Sequence, residues 1–225
     1  IHFASSKITL YNPKINKISF EIGPMALSGS TRMQACSVLM LVVGCTLLEQ
    51  KSVPHSVNQF ISLYKKVFPL DFLIPFIECE SLVYKNNKFV QYFTNHFGLT
   101  VLTDTTERSP TFSLTPLENT LDSNQNYSWC HLTLANCDSQ SQAWEKILLR
   151  APRPLEWKTT HLQTGIKRLL GFDFSEVGYQ KRAGLLAKEK LIKFFIQKNN
   201  EGIHFSLQNN TTTINTANLS PLYEQ

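Results

Sequence analysis

A hydroxyl-rich segment in front of a long apolar run is the densest group of chemically useful side chains in the chain. It reads Gly-Pro-Met-Ala-Leu-Ser-Gly-Ser-Thr-Arg-Met over 23–33, and the apolar run over 35–48 follows it. The candidate ligand-binding residues of this segment are Ser28, Gly29, Ser30, Thr31 and Arg32. Backbone N–H groups and the positive end of the dipole at a helix N-terminus favour a bound anion. The pattern therefore predicts a buried helix preceded by either a phosphate-binding loop or an ordinary cap, in which serine and threonine are also preferred.

A second polar cluster, Asp-Thr-Thr-Glu-Arg-Ser-Pro-Thr-Phe, occupies residues 104–112. Its Glu107 follows an apolar stretch and precedes a proline-marked loop, where a carboxylate can face a cleft. There it can act as a general acid or base, or accept hydrogen bonds from sugar hydroxyls. The alternative is a surface ion pair with Arg108 or Arg32.

His96 lies in the loop that follows a predicted strand, at the strand end where α/β folds bind ligands. A structural or solvent-exposed histidine is the alternative there. The other histidines have no metal-like spacing to cysteines or carboxylates. Because the chain also lacks a glycine-rich phosphate fingerprint and a GxSxG elbow, the sequence predicts no metal and no cofactor.

The composition restricts the class of protein. Of the 225 residues, 42% are hydrophobic and 17% are charged, which is sufficient for a substantial core. The net charge of +5 is mild, and no interleaved arginine and aromatic pattern points to nucleic acid. Five cysteines without a CxxC pair favour reduced thiols and a cytoplasmic location. The apolar run of 14 residues is too short to cross a bilayer, so no membrane partner is predicted.

Alternating strand and helix signals predict an α/β fold with a parallel sheet covered by helices. The predicted strands are 14–22, 88–93, 129–134 and 155–157. Local propensity adds a strand over 99–106, which is rich in leucine, valine and threonine. The predicted helices are 35–51, 57–67, 142–149, 160–170 and a basic amphipathic helix over 181–198 that Gly202 ends. The polar chain after residue 209 is expected to be loosely held.

Two segments resemble one protein family. Segment 23–33 resembles the GPE-x-(L/I/V)-x-GSTRMK stretch of N-acetylmuramic acid 6-phosphate etherases and a related stretch of glucokinase regulatory proteins. Segment 88–112 resembles their strand–loop–helix, which reads roughly GTSGRLGVLDASECPPTFG. The matching positions are Gly98, Asp104, Glu107, Pro110, Thr111 and Phe112. Both stretches belong to the sugar isomerase (SIS) domain superfamily of phosphosugar-binding α/β folds.

The resemblance implies a three-layer SIS-type parallel sheet flanked by helices, with a helical C-terminal extension. Residues 1–75 would end a first SIS domain, 76–180 would form a second, degenerate one, and 181–225 would form a C-terminal helix and tail. It implies helix over 99–106, against local propensity. It also places Ser28, Ser30, Thr31 and Arg32 at or beside the phosphosugar site of the first domain. Glu107 matches the glutamate that serves the etherases as acid/base, and it would reach that site across a pseudo-twofold interface.

The departures from the family pattern bear on activity. Met25 replaces a glutamate, Gln34 and Met40 replace two lysines, and Asn95-His96-Phe97 replaces a hydroxyl-rich phosphate cradle. The second unit is therefore predicted to lack a phosphate site of its own. The chain begins near the last strand of the first domain, so a homodimer, a second chain or another segment would complete the site.

Two functions follow from this resemblance. The first is a sugar-phosphate-binding protein with a regulatory role. The second is an etherase-like lyase that cleaves the lactyl ether of N-acetylmuramic acid 6-phosphate, with Glu107 moving the proton. In both functions the partner is a phosphorylated sugar.

Overall fold

A computed structural model describes residues 11–17, 23, 37–47, 53–67, 71–122, 126–153, 165–187, 190–200, 202–208 and 213–215. The chain divides into two compact units, 1–58 and 59–225. The described helices are α1 Ser37–Leu47, α2 Val53–Val67, α3 Ile74–Lys85, α4 Gly98–Thr111, α5 Gln140–Leu148, α6 Gly165–Leu170 and α7 Glu176–Leu186. The described strands are β1 Phe89–Thr94, β2 Cys130–Leu134, β3 Leu191–Asn199, β4 Gly202–Gln208 and β5 Thr213–Asn215.

Helix α1, in the first unit, confirms the predicted helix but not its predicted burial. Leu39, Met40 and Leu47 are 52%, 74% and 76% exposed. A helix that is apolar on all sides is usually buried, so this exposure departs from what the sequence pattern favours.

A mixed five-stranded sheet in the order β2-β1-β3-β4-β5 organises the second unit. Strand β1 pairs in parallel with β2 and β3, whereas β4 is antiparallel to β3 and β5 is antiparallel to β4. The predicted α/β class is therefore confirmed. The all-parallel arrangement is wrong, because a hairpin at Gly202 returns the chain beside β3.

Helices cover both faces of the parallel strands. On one face, Val90, Tyr92 and Leu132 pack with α3 and α4 through Phe76 and Val101. On the other face, α7 packs against Phe89 and Phe93 through a second apolar cluster. All five residues of β2 are buried, as expected for a parallel strand with both faces covered.

The C-terminal third corrects the sequence prediction. The helix predicted over 181–198 ends at Leu186, and residues 191–199 form β3 in the middle of the sheet instead. Residues 191–196 read Leu-Ile-Lys-Phe-Phe-Ile, and their aromatic and β-branched side chains favour a strand once β1 and β4 supply partners. The helical C-terminal extension is therefore wrong. Gly202 begins β4 rather than ending a helix, and β5 orders three residues of the tail.

Residues 98–111 form helix α4, so the strand favoured by local propensity is wrong and the helix implied by the resemblance is present. The helix buries Val101, Thr105 and Ser109, which are spaced four residues apart on one face. Gly98 begins it in close contact with the sheet, because an added Cβ would lie 2.9 Å from Leu134 Cδ1.

Strands β1 and β2 and helices α2 and α5 confirm their predictions within a few residues. Within the strand predicted over 14–22, residues 14–17 are not a strand, and 18–22 lie outside the described residues. The strand predicted over 155–157 and the first part of the helix predicted over 160–170 also lie outside them.

Gly171 is predicted to be required for the packing of α6. A Cβ at this position would overlap the amide of Asn119, which donates to Arg168 O (2.9 Å) and accepts from Leu121 N (3.0 Å). We expect Gly171→Ala to lower the free energy of unfolding by about 2 kcal/mol through the loss of these bonds. Urea denaturation measures the change.

The matched control is Gly184→Ala in α7, where nothing lies near an added Cβ. This change should raise stability by about 0.5–1 kcal/mol, because alanine favours helix over glycine. Equal effects of the two substitutions would show that Asn119 does not depend on Gly171.

Candidate functional site

The candidate residues of the first unit lie outside the described residues: Ser28, Gly29, Ser30, Thr31 and Arg32. The phosphosugar site predicted for them stays a prediction. His96 and Glu107 are described, and both belong to the second unit.

Hydrogen bonds to β1 and β3 fix the loop between β1 and α4 in place. Asn95 Nδ2 donates to Lys198 O (2.7 Å), and Lys198 N donates to Asn95 Oδ1 (2.9 Å), so the amide fastens the loop to β3. Phe97 N donates to Thr94 Oγ1 (3.0 Å). These groups are therefore engaged with the protein itself, and the side chain of His96 is exposed.

Glu107 lies in α4, nine residues after Gly98, and its side chain is half-buried. At a rise of 1.5 Å per residue, that places it about 14 Å along the helix axis from the loop. His96 and Glu107 therefore do not form one catalytic pair, because acid/base partners act within hydrogen-bond distance of a common substrate atom.

A buried polar cluster around Arg182 was missed by sequence reasoning. Arg182 projects from α7, and its Nε donates to Glu118 Oε1 (3.1 Å) while its two terminal nitrogens donate to Gln91 Oε1 (2.9 Å) and Ser128 O (2.6 Å). Glu118 Oε1 also accepts from Ser128 N (2.8 Å). These contacts join α7 to β1 and to the chain that leads into β2.

His131 completes a ring of polar contacts with Arg182, Glu118 and Gln91. Its Nε2 lies 3.3 Å from Glu118 Oε2, and its Nδ1 lies 3.4 Å from Gln91 Nε2, which also donates to Thr133 Oγ1 (2.8 Å). Nδ1 also lies 3.0 Å from Leu132 O, so the tautomer decides whether Nδ1 donates to that carbonyl or accepts from Gln91. Burial lowers the pKa of His131 to about 4, although the Glu118 carboxylate opposes the shift. Both ring nitrogens face protein groups, so this histidine is structural rather than catalytic.

A pocket of about 90 Å³ adjoins this ring, with Tyr127, Asp173 and Lys181 in its lining. This volume is below the range of about 300–1,000 Å³ that is usual for small-molecule sites. The ring is therefore assigned a structural role, because its hydrogen bonds join α7 to the sheet.

The sequence held one signal for this ring. Gln91, His131 and Thr133 are polar side chains in two strands that otherwise read as buried and apolar, and Gln91 pairs with His131 in the sheet register. Aligning polar positions on neighbouring strands points to a shared partner. Arg182 could not be found in that way, because it lies 91 residues from Gln91.

The remaining reactive groups do not assemble into a site within the described residues. No three of their histidines, cysteines and carboxylates are placed to hold a metal ion. Cys79, Cys130 and Cys137 are free thiols, and burial raises the pKa of Cys79 and Cys137, which disfavours the nucleophilic thiolate. No helix in the described ranges is long and apolar enough to cross a membrane.

Arg182→Met is expected to lower the free energy of unfolding by about 3–5 kcal/mol, because it leaves the Glu118 carboxylate buried without its cation. Lys181→Met, at the adjacent exposed position of α7, should change it by less than about 0.5 kcal/mol. Chemical denaturation of both variants tests the ring. Similar small effects would mean that the ion pair contributes little to folding.

The lowered pKa of His131 predicts a loss of stability in acid. The unfolded chain, with a histidine pKa near 6.5, takes up a proton that the folded chain refuses until about pH 4. The histidine contribution is therefore complete above pH 6.5 and falls by about 2 kcal/mol on going to pH 5. Denaturation midpoints at pH 7.5 and 5 should differ less for His131→Gln than for the parent chain. The control His96→Gln should retain the parent pH dependence, and an unchanged dependence in His131→Gln would contradict the prediction.

Comparison with known proteins provides no relative for this chain. No family model, no curated protein and no solved structure matches it.

Proposed function

We propose that this protein binds a sugar phosphate in the manner of SIS-domain proteins, and that it acts as a regulatory module with Glu107 in contact with the ligand. The observation that carries the proposal is the β1–loop–α4 unit. Residues 98–111 form a helix although residues 99–106 locally favour a strand, and a strand–loop–helix of this order is what the resemblance implies.

The packing of α4 supports the proposal further. Gly98 stands at a matching glycine of the family pattern, and a side chain there would crowd Leu134 Cδ1 (2.9 Å) and Ile147 Cγ1 (3.0 Å). A glycine at the start of the helix lets the helix approach the sheet closely, as it does in phosphate-binding βαβ units.

The loop between β1 and α4 is engaged in hydrogen bonds within the protein, and this favours a regulatory role over a catalytic one. The Asn95 amide is committed to Lys198, so the loop offers its own sheet the hydrogen bonds that a phosphate cradle would offer a ligand. Glu107 lies about 14 Å farther along the helix, beyond the reach of a ligand phosphate held at that loop. Glu107 remains although the phosphate-binding residues of the family pattern are lost from the loop of the same unit. Such a carboxylate suits recognition of a ligand that is bound elsewhere. The mild positive net charge of +5 is compatible with an anionic ligand.

Thermal denaturation with a panel of hexose phosphates tests the proposal. At a ligand concentration about 1,000 times Kd, binding should add about 4 kcal/mol to the stability of the parent protein. Glu107→Gln should reduce that gain, because the amide lacks the charge of the carboxylate. Glu145→Gln, at an exposed position of α5, is the matched control and should retain the full gain.

Arg32→Gln tests the predicted role of segment 23–33 separately, and it should also reduce the stabilisation by hexose phosphates. The absence of stabilisation by every hexose phosphate would contradict the proposal, as would equal stabilisation of the Glu107→Gln variant and the parent. Release of D-lactate from N-acetylmuramic acid 6-phosphate, abolished by Glu107→Gln, would favour the etherase-like lyase instead.

A further inference from the structure

A cavity of about 660 Å³ lies beside helix α4, and its lining includes neither Glu107 nor the residues of the Arg182 ring. Leu117, Trp144 and Phe174 form its deep part and are each less than a tenth exposed. Thr106 and Arg168 lie at its exposed side. The volume falls within the range of small-molecule sites, about 300–1,000 Å³.

Hydrogen bonds join the segments that surround this cavity. Asn119 Nδ2 donates to Arg168 O (2.9 Å), and Thr120 N donates to Gly171 O (2.8 Å), which joins the connection between α4 and β2 to α6 and to the residue that follows it. Trp144 Nε1 donates to Phe172 O (3.1 Å), and the Trp144 ring packs edge-on against Phe174 at 5.3 Å. A ligand would therefore enter a largely preformed site, with little ordering cost.

The lining selects the charge of the ligand. Its charged side chains are Arg168 and Asp122, which bind each other through two hydrogen bonds of 2.8 and 3.2 Å. The pair leaves no net charge at the mouth, and the deep part is leucine, phenylalanine and tryptophan. A charged group would lose its hydration there without a counterion, which is strongly unfavourable.

We propose that this cavity is a second ligand site, one that takes an uncharged, largely apolar small molecule with a flat ring system. The aromatic walls favour ring contacts. Threonine hydroxyls at the exposed side and the buried Ser109 hydroxyl supply hydrogen-bond acceptors for a polar substituent. This ligand differs in chemistry from an anionic sugar phosphate, so the site does not depend on the proposed function.

Titration with Nile red, an uncharged apolar dye, tests the site by fluorescence. The parent protein should bind it saturably at one site. Thr106→Trp and Thr103→Trp place a large side chain at exposed positions of the lining, and each should weaken binding by about tenfold or more. Thr100→Trp, exposed on the same helix but outside the lining, should leave the affinity unchanged. Circular dichroism verifies that each variant is folded. If only one of the two blocking variants folds, comparing its affinity with that of Thr100→Trp is sufficient to test the site.

A charged probe of similar size tests the predicted charge preference. The anion 1-anilinonaphthalene-8-sulfonate should bind more weakly than Nile red. Three results would overturn the proposal: non-saturable Nile red fluorescence, equal affinities of the blocking variants and Thr100→Trp, or tighter binding of the anion than of the neutral dye.

Discussion

The second unit depends on one buried cation. Arg182 is the point at which α7, β1 and the chain leading into β2 meet, and it bonds to a carboxylate, an amide oxygen and a backbone carbonyl in one plane of donors. Burial lowers the pKa of its guanidinium, and the nearby Glu118 carboxylate opposes that shift. Apolar packing covers the sheet on both faces, but this ring fixes where α7 sits on it.

Helices and strands could be predicted from the sequence where one local pattern clearly favoured a single type of secondary structure. Strands β1 and β2 are rich in the aromatic, β-branched and other apolar residues that favour strands, and α5 has a clear amphipathic spacing with a Ser139 cap that accepts from Gln142 N. Other elements could not be predicted from local pattern. Helix α4 needs its packed face and Gly98 to overcome strand propensity. The break between α7 and β3 occurs at Ala187, whose φ of 61° is marked by neither glycine nor proline.

The candidate sites likewise differ in whether a local sequence pattern can reveal them. Glu107 and segment 23–33 are predicted as site residues because their spacing resembles a family pattern, and that resemblance concerns short continuous stretches. The Arg182 ring and the cavity beside α4 are built from side chains far apart in the chain. Glu118 and Arg182 are separated by 64 residues, so no local window contains them both. Sites of this second kind become visible only when the sheet register and the helix positions are known.

The place of β3 has a consequence for how the chain folds. Strand β1 pairs with β3 from Phe89 opposite Leu191 to Thr94 opposite Ile196, so the centre of the sheet joins segments about 100 residues apart. Pairings at such separations raise contact order and slow folding. During synthesis, β1 and β2 emerge first, and the edge of β1 that β3 will cover has no partner until the C-terminal strands arrive. An open parallel edge is a template for pairing with other chains. The last third of the chain thus completes the sheet and protects its centre from association during folding.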